Sequence, residues 1–536
     1  MWIKTDNFLL DSATVPIDID EMLEELLIRY LRINKGDFKQ YLINSKSIDA
    51  RRGTPQFVYS VFVEVADNSD FDRERAIEID ESTVLEKYAP KLDVDFCGDK
   101  EVVIVVGTGP AGIFGALTLA EAGLKPIILD RGFDVDKRRE DWQKFLETRE
   151  LDTESNLLIG EGGAGTFSDG KLYTRTKDKS SSYILKTFVD CGASSDIIYL
   201  KRPHLGSDRL IDIAKNLRKK IVELGGEFRF GKCAVSLKIE NNQFKGVLLN
   251  DGTVVEGDYL LLAHGLGGRE LTLDLVKKGV KHKLKSFQIG CRIEHPQLLI
   301  DQHQYRLRKK FDSLPAAEYN FVSKLPVDNK EKILGVSSFC MCPGGEVVMA
   351  SAWKNQVTTN GMSRYARDGK FANSCLIMTI DGERFGTAEA AYKFLTKYEK
   401  TAFLNGNEDY TIVAQSAEAF LAKREGLCRE ESSAQTGIVS GRIDKILSEE
   451  LYRGLAYALR DFDRKCPGFI REGQILGVET CVSSPVRFLR DETTLMSSVE
   501  NLFIAGEGAG CAGGIMSAAI DGIKLGKKII ELIKVK

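Results

Sequence analysis

The sequence predicts an α/β fold built around a parallel sheet, and three apolar runs are the reason. The first, residues 101–106, is continuously apolar after Glu101, which is typical of a strand buried on both faces. A glycine-rich turn, a helical stretch and a second apolar run at 126–130 complete a β-α-β unit. The third run, residues 502–506, also ends in a glycine-rich turn near the other end of the chain. The parallel-sheet domain is therefore predicted to be discontinuous.

Three structural parts are expected. Residues 1–97 are expected to form a small N-terminal α+β module. Residues 98–284 and 465–536 are expected to form a discontinuous Rossmann-like domain, and residues 285–464 an inserted α+β domain. In the first part, residues 22–31 have helical apolar spacing, whereas residues 57–65 are rich in β-branched and aromatic side chains and predict a strand. Residues 93–100 are the expected linker to the second part.

Composition excludes several classes of protein. The 536 residues carry 75 basic and 78 acidic side chains, so the net charge of −3 gives no indication of a general polyanion binder. No apolar run reaches the ~20 residues of a membrane span, and the N-terminus lacks a signal-peptide pattern. The eleven scattered cysteines favour reduced thiols and a cytoplasmic location, and their spacing predicts no metal site.

The first motif is the turn Gly107-Thr108-Gly109-Pro110-Ala111-Gly112 between the first strand and its helix. Its first glycine permits a tight turn, its second lets a pyrophosphate approach the backbone, and its third lets the helix pack on the strand. The free N–H groups at the helix N-terminus then face the anion. Asp130 ends the next strand, where its carboxylate would accept hydrogen bonds from ribose hydroxyls and repel a 2′-phosphate. The unit predicts a dinucleotide site that disfavours NADP.

The second motif is the loop of residues 160–171, in which glycine and alanine account for half of the positions. Small residues let a chain lie against a flat ring or a phosphate. A flexible surface loop is the alternative. The residues expected to contact a cofactor here are Gly162, Gly163, Ala164, Gly165, Thr166, Ser168 and Lys171.

The third motif, residues 505–519, resembles the second nucleotide segment of flavoproteins that have two dinucleotide folds. In those proteins a strand ending in Gly-Asp or Gly-Glu places its carboxylate on a ribityl hydroxyl, which is the role expected of Glu507 after Gly506. A helix that begins near Gly514 would point its positive end at the flavin ring edge that becomes anionic on reduction. The expected contacts also include Gly513, Ile515 and Met516.

Two nucleotide motifs at opposite ends of the chain predict one FAD, held non-covalently, that spans both. Further cofactor contacts are expected at Arg131, Ala234, Ala263, His264 and Gly265. A second complete fingerprint for a nicotinamide is not evident. NAD(P)H is therefore a candidate only as an electron donor that docks transiently.

These motifs occur together with residues 292–297 (Arg-Ile-Glu-His-Pro-Gln), 338–345 (Ser-Phe-Cys-Met-Cys-Pro-Gly-Gly) and 483–487 (Ser-Ser-Pro-Val-Arg). The combination resembles the bacterial FAD-dependent dehydrogenases of largely unassigned function, which are distantly similar to flavoproteins with a glutathione-reductase-like FAD fold. The resemblance covers nearly the whole chain and implies FAD binding, but no substrate. The chain departs from the family pattern at Cys481-Val482, where Arg-Thr is expected, which implies a different substrate contact.

Four side chains are candidates for the reaction itself. Cys340 and Cys342 share one face of a predicted strand, so they could form a redox dithiol or simply line a pocket. Arg487 could anchor an anionic substrate or make a structural ion pair. Glu479 could be a general base or a structural acceptor.

The function expected from the sequence is an FAD-dependent oxidoreductase that acts on an unidentified small molecule, with the inserted domain carrying the substrate. Two alternatives stay open. One is a flavoprotein that acts on tRNA, which the near-neutral charge disfavours. The other is a flavoprotein with structural FAD, in which residues 1–97 dock a protein partner.

Overall fold

The computed structural model describes residues 1–14, 20–95, 98, 100–174, 176–325 and 335–535. Residues 96, 97 and 99, which belong to the linker expected at 93–100, lie outside the described residues. No helix in these ranges is long and apolar enough to cross a membrane.

The N-terminal module is a four-stranded antiparallel sheet with two helices. Its elements are β1 (Trp2–Asp11), α1 (Asp20–Leu31), β2 (Phe38–Asp49), β3 (Gln56–Val65), β4 (Ala76–Ile79) and α2 (Glu81–Tyr88). The strand order is β2-β3-β1-β4, so the aromatic run predicted as a strand is central and largely buried. Asp80 caps α2 by accepting a hydrogen bond from the backbone N–H of Ser82.

A five-stranded parallel sheet forms the next domain. Its first part contains β5 (Val103–Val106), α3 (Pro110–Glu121), β6 (Ile127–Leu129), α4 (Val135–Thr148), α5 (Ser180–Asp190), α6 (Ser207–Glu223), β7 (Glu227–Arg229), β8 (Ala234–Glu240), β9 (Gln243–Leu249), β10 (Val254–Glu256), β11 (Tyr259–Leu262) and α7 (Arg269–Lys277). Strands β8 to β10 form a separate antiparallel sheet.

A seven-stranded sheet dominates the inserted region. The elements of this region are β12 (His282–Leu284), β13 (Phe287–Pro296), α8 (Gln297–Tyr305), β14 (Val322–Ser323), β15 (Val336–Cys342), β16 (Gly345–Met349), β17 (Thr359–Ser363), β18 (Phe371–Ile380), α9 (Ala388–Asn405), β19 (Ile412–Ser416), α10 (Ala417–Leu421), β20 (Ile438–Ser440), α11 (Ile443–Ile446), α12 (Glu449–Lys465), β21 (Gln474–Glu479) and β22 (Val486–Phe488). The order in the large sheet is β14-β15-β18-β13-β21-β19-β20, and β16 with β17 and β12 with β22 form two ribbons.

One boundary differs from the sequence prediction, which returned the chain to the Rossmann-like domain at residue 465. Strand β21 pairs with β13 and β19, so it belongs to the large sheet of the inserted region. Its continuous burial is what either sheet would require, so the sequence pattern alone could not assign it to one of them.

The chain returns to the parallel sheet through β23 (Leu502–Ile504), followed by α13 (Ile515–Val535). The sheet order is β23-β11-β5-β6-β7, so β23 and β5 flank β11 and the two ends of the domain meet. Helices α3 and α13 pack so closely that an ideal Cβ on Gly522 would overlap the Ala111 carbonyl oxygen. The carboxyl ends of β5, β11 and β23 therefore open onto one edge, where ligands of parallel sheets bind.

Candidate functional site

A cleft of about 600 Å³ lies at this edge, between the parallel sheet and the inserted region. Its size is in the range of small-molecule and cofactor sites. The cofactor residues expected from the sequence that line it are Gly107, Gly109, Pro110, Ala111, Asp130, Arg131, Gly163, Ala164, Gly165, Ser168, Ala234, Ala263, His264, Gly265, Gly506, Glu507, Gly513, Gly514 and Ile515.

The turn after β5 uses its three glycines for three different purposes. Gly107 has φ +97°, and a side chain there would overlap the Ala263 carbonyl of the neighbouring strand. Gly112 packs so closely on the Gly107 carbonyl that no Cβ fits. Gly109, by contrast, has nothing within 4 Å of an ideal Cβ, and it precedes α3 without a side-chain cap. The open space and the uncapped helix end leave room at Gly109 for an anionic group.

Asp130 closes this turn from the next strand. Its Oδ2 accepts hydrogen bonds from the backbone N–H and the hydroxyl of Thr108, the former at 2.9 Å, and its Oδ1 accepts one from Gly132 N at 2.8 Å. Arg131 turns aside to pair with Glu154 at 2.6 Å. Both carboxylate oxygens of Asp130 thus hold the loops on either side, and Oδ1, which accepts a single hydrogen bond, keeps a lone pair for a ligand in the cleft that Asp130 lines.

The loop that begins at Gly160 is held by a buried cation that the sequence analysis did not identify. Arg138, on α4, donates to the carbonyls of Asn156, Glu161 and Gly163 and lies over the Phe167 ring at 4.8 Å. Burial lowers the pKa of Arg138 to about 10. The sequence carried no signal for this role, because Arg138 lies among other charged residues of α4 and its acceptors are backbone carbonyls of the loop that follows that helix.

Glu507 is the partly buried carboxylate at the other end of the cleft. Its Oε1 accepts a hydrogen bond from Ser484 N at 2.9 Å and lies 3.7 Å from Lys285 Nζ. Burial is the largest influence on Glu507 and raises the pKa of its carboxyl group. An ideal Cβ on Gly513 would lie 2.7 Å from Glu507 Oε2, so a side chain there would displace this carboxylate group.

His264 lines the cleft between these two ends. Its Nε2 lies 2.8 Å from the Thr272 hydroxyl, whereas its buried Nδ1 has no hydrogen-bond partner within the described chain. Burial lowers the pKa of His264 to about 4, so the ring is neutral at physiological pH. The ring acts as an uncharged spacer beside the glycine turn.

The remaining lining was not predicted. Apolar residues contribute much of it: Leu157, Leu158 and Ile159 from the loop before Gly160, and Val348 and Ala350 from the inserted region. The inserted region also supplies Asn360, Cys481 and Val482. The last two occupy the positions at which the sequence departs from the family pattern.

Five expected cofactor residues lie outside the lining of the cleft: Gly112, Gly162, Thr166, Lys171 and Met516. Gly162 and Thr166 are buried against each other beneath the loop, where the Thr166 hydroxyl donates to the Glu161 carbonyl at 2.9 Å. Met516 is buried in the core. Lys171 points toward β15 instead, where it donates to the Met341 carbonyl and pairs with Asp169 at 2.6 Å.

The four reaction candidates also lie outside the lining of the cleft. Glu479 accepts two hydrogen bonds of 2.7 Å from buried Arg292, which places it as a structural acceptor rather than a free base. Arg487 is exposed on β22, opposite Lys283, so it does not reach an anion in the cleft. Cys340 and Cys342 lie on β15 behind the cleft wall, beside Lys171.

The cleft meets the demands of a long dinucleotide. Open backbone at Gly109 and the start of α3 suit a pyrophosphate, Asp130 suits a ribose, and the partly buried carboxylate of Glu507 near the start of α13 suits a polyol. The apolar residues between them suit a flat ring system. These groups come from both ends of the chain and share one cavity.

Comparison with solved structures yields distant likenesses. Over 81% of this chain, L-proline dehydrogenase from P. horikoshii is 12% identical, with 94% of that chain covered and a TM-score of 0.34. Flavin-dependent brominase Bmp2, as a triple mutant, is 12% identical over 81% of each chain with a TM-score of 0.36. CtdE in complex with FAD is 11% identical over 82% of this chain and 85% of that chain, with a TM-score of 0.32. Scores this low do not establish a shared fold.

Two sequence comparisons are closer. Residues 286–482 match the family described as FAD-dependent protein, C-terminal domain-like. An uncharacterized protein from Clostridium beijerinckii is 36% identical over 533 residues, which cover 97% of this chain and 98% of the relative. The chain therefore belongs to the same family as this clostridial protein.

Proposed function

We propose that the protein is an oxidoreductase that holds FAD non-covalently in the cleft and transfers a hydride between flavin N5 and a small organic substrate. One observation carries the proposal: the glycine turn at 107–112, the loop at 160–168 and the turn at 506–515 line a single cavity. The match of residues 286–482 to an FAD-dependent family supports the choice of cofactor. When bound, FAD supplies a ring that accepts or donates a hydride.

In this proposal the residues of the parallel-sheet domain bind the FAD and orient it. The uncapped start of α3 at Gly109 holds the pyrophosphate, and Asp130 accepts hydrogen bonds from the ribose while it fixes the turn. Glu507 accepts a hydrogen bond from the ribityl chain, and Lys285 offsets part of its charge. Because Ser484 N and Lys285 already fix this carboxylate, it needs no rearrangement to bind.

The inserted region supplies the side of the cleft that would face the substrate. Val348 and Ala350 are apolar, and Asn360 offers an amide whose Oδ1 already accepts from Arg292 at 3.2 Å. Such a wall suits an organic molecule with one polar group. Cys481 and Val482 widen the apolar part where an arginine and a threonine are expected, so a strongly anionic substrate is disfavoured.

The cofactor proposal is tested by Gly109→Glu. The wild-type protein should be yellow and release its flavin on heating or acidification, because no covalent link is proposed. The variant should fold and be colourless, because the new side chain has open space around its Cβ yet fills the pyrophosphate position. Gly36→Glu is the matched control, since Gly36 has equally open surroundings in the N-terminal module and does not line the cleft. Stoichiometric FAD in folded Gly109→Glu would contradict the proposal.

The oxidoreductase proposal is tested by anaerobic mixing with a panel of donors, including amines, alcohols, hydroxy acids, NADH and NADPH. Bleaching of the flavin absorbance near 450 nm by one organic donor, at a rate that saturates, is the expected result. The sequence separately predicts that NAD(P)H could dock transiently as an electron donor. NADH and NADPH are in the panel to test that prediction. Flavin that no donor bleaches, and that dithionite does, would favour a structural cofactor.

A further inference from the structure

The thiols of Cys340 and Cys342 lie together at the end of β15. Cys342 pairs in register with Asn373 of β18, whereas Cys340 lies in the register shift between Ser338 and Met341, where the regular alternation of side chains is interrupted. The two thiol groups are close enough to influence each other's ionisation, and the Cys342 thiol donates to the Cys340 carbonyl oxygen at 3.9 Å. Cys342 is 1% exposed, whereas Cys340 is partly exposed. One thiol is therefore reachable and the other is held behind it.

The charges around the pair leave one positive charge to be balanced. Lys171 pairs with Asp169 at 2.6 Å, and Asp169 also pairs with Arg367 at 2.5 Å. Arg292 donates to the Cys340 carbonyl at 3.2 Å and pairs with Glu479. Three buried cations thus meet two carboxylates. Arg367 also lies 4.0 Å from Glu318, but Arg202 pairs with that carboxylate at 2.5 Å, so the excess persists.

A thiolate at Cys340 supplies the missing negative charge. The hydrogen bond from Cys342 and the charge of Lys171 lower the pKa of Cys340, despite burial and despite Asp169. The same hydrogen bond, together with burial, raises the pKa of Cys342. This division is the one that a thiol pair needs if one member attacks and the other keeps its proton until later.

The pair is next to the cleft but not inside it. Lys171 follows Ser168, a lining residue, by three positions in the chain. Arg292 joins the Cys340 carbonyl to Asn360, another lining residue. An ideal Cβ on Gly361 would lie 3.0 Å from the Cys342 sulfur. Gly361 follows the lining residue Asn360 on β17, so the buried thiol packs against a strand that also contributes to the cavity wall. Phe339, next to Cys340 in the chain, is 43% accessible.

We propose that Cys340 and Cys342 form a redox-active dithiol that reduces a disulfide-bonded substrate. The thiolate of Cys340 attacks one sulfur of the substrate, forms a mixed disulfide and releases the other sulfur as a thiolate. The Cys342 thiol then gives its proton to that thiolate, attacks Cys340 and releases the second thiolate. The dithiol loses two electrons to the substrate, and a Cys340–Cys342 disulfide remains. Returning this disulfide to two thiols takes two electrons and two protons, which reduced flavin bound in the adjoining cleft would supply while being oxidised; this last part rests on the proposed function.

Alkylation tests the thiolate. Iodoacetamide is applied to the full-length protein at a series of pH values, and each cysteine peptide is quantified by mass spectrometry. At pH 6.5, Cys340 should react at least about 10-fold faster than exposed Cys428, because each unit of pKa changes the thiolate fraction ~10-fold. Lys171→Met should move the alkylation profile of Cys340 to higher pH, and Lys171→Arg should restore it. Equal rates at Cys340 and Cys428 would overturn the proposal.

Exchange tests the second cysteine. In a Cys428→Ser background, one equivalent of 5,5′-dithiobis(2-nitrobenzoic acid) should release two aryl thiolates per chain and leave a Cys340–Cys342 disulfide peptide. Cys342→Ser should release one and stop at a mixed disulfide on Cys340, and Cys340→Ser should react slowly. A mixed disulfide that persists in the parent protein would overturn the dithiol.

Flavin content, measured on the same samples, separates this proposal from the proposed function. Inert thiols with stoichiometric FAD would reject the dithiol alone. Complete exchange in a protein that never binds FAD would reject the proposed function and the identity of the reductant, while the dithiol would stand. Photoreduction of the flavin in protein that holds the internal disulfide should regenerate both thiols, and disulfide that survives full flavin bleaching would reject the link between them.

Discussion

The two sides of the cleft keep their structure by different means. The side from the parallel sheet consists mainly of glycine and other small residues, and its shape follows from close backbone approaches such as that of Gly107 to Ala263. The side from the inserted region is backed by buried ion pairs such as Arg292 with Glu479, and Arg269 of α7 ties it to the parallel-sheet domain by pairing with Glu399. The side from the parallel sheet tolerates no side chain at its closely packed glycines, whereas the side from the inserted region requires both partners of each ion pair.

This difference has an energetic consequence. A glycine contact fails when a methyl group is added, and overpacking of this kind costs typically 1–3 kcal/mol. A buried ion pair fails when one partner is removed, because the other charge is left without compensation, at a cost of about 3–5 kcal/mol. The inserted region should therefore be the side that single substitutions damage most.

The largest expected effect is that of Arg292→Met. Arg292 is fully buried and donates two hydrogen bonds of 2.7 Å to Glu479, so its removal leaves a buried carboxylate unpaired. We expect a loss of about 3–5 kcal/mol in unfolding free energy, measured by urea denaturation. Adding Glu479→Met should recover much of that loss, because no charge is then left buried.

The exposed pair of Lys423 with Glu449, at 3.2 Å, is the control. Lys423→Met should cost less than about 1 kcal/mol, since water already solvates both groups. If Arg292→Met costs no more than Lys423→Met, buried pairing does not stabilise this side of the cleft.

The next effect tests the glycine side. In Gly522→Ala, the added Cβ overlaps the Ala111 carbonyl oxygen and lies 2.9 Å from its carbon, both rigid backbone atoms. Alanine favours a helix by about 1 kcal/mol over glycine, but the contact between α3 and α13 cannot widen without moving the cleft. We expect a net loss of about 1–3 kcal/mol and weaker flavin retention.

Gly36→Ala is the comparison for that substitution, because an ideal Cβ there meets nothing within 4 Å. It should leave unfolding and flavin content unchanged. A Gly522→Ala protein as stable as Gly36→Ala would show that the two helices can separate freely.

The same contrast explains what the sequence could predict. The glycine side could be predicted from short sequence segments, because each glycine-rich turn directly follows its own strand. Most residues expected from the three motifs line the cleft. Lys171 is the instructive exception. Its loop position indicated a cofactor contact, but Asp169 and the Met341 carbonyl direct its side chain to β15, and the latter is 170 positions away in the chain.

The side from the inserted region depends on ion pairs between residues that are far apart in the sequence. Arg292 and Glu479 are 187 positions apart, and Arg269 and Glu399 are 130 apart. Nothing local distinguishes such a glutamate from a general base, which is why Glu479 was open to both interpretations. The assignment of β21 to the large sheet was hidden for a similar reason, because burial on both faces suits either sheet.

A pH-dependent effect sharpens the comparison further. His295 is buried, its Nε2–H donates to the Phe469 carbonyl at 2.8 Å, and its Nδ1 has no partner among the described residues. Burial, assisted by nearby Arg429, lowers the pKa of His295 from 6.5 to about 3. The unfolded state therefore binds the proton more tightly. Stability that is complete near pH 7.5 should fall as the pH drops below 6.5, by up to about 1.4 kcal/mol per pH unit.

His295→Gln should flatten this dependence, because glutamine can keep a donor to the carbonyl and does not titrate. Urea midpoints at pH 7.5 and 5.5 measure the change. His303→Gln, at a partly exposed position, should alter the slope less. An unchanged slope in His295→Gln would mean that the pKa of this ring is the same in the folded and unfolded states.

The smallest expected effect is at Arg487, which the sequence offered as an anchor for an anionic substrate. The structure places it on the exposed face of β22, directly opposite Lys283, so the pair is mildly repulsive. Arg487→Ala should change unfolding free energy by no more than about 0.5 kcal/mol and leave flavin content unchanged. Lys285→Met, two positions along from Lys283, should weaken flavin retention instead, because Lys285 lies 3.7 Å from Glu507. If Arg487→Ala loses flavin or turnover instead, then β22 closes over the cleft when ligand is bound, and the Arg487 guanidinium contacts the ligand.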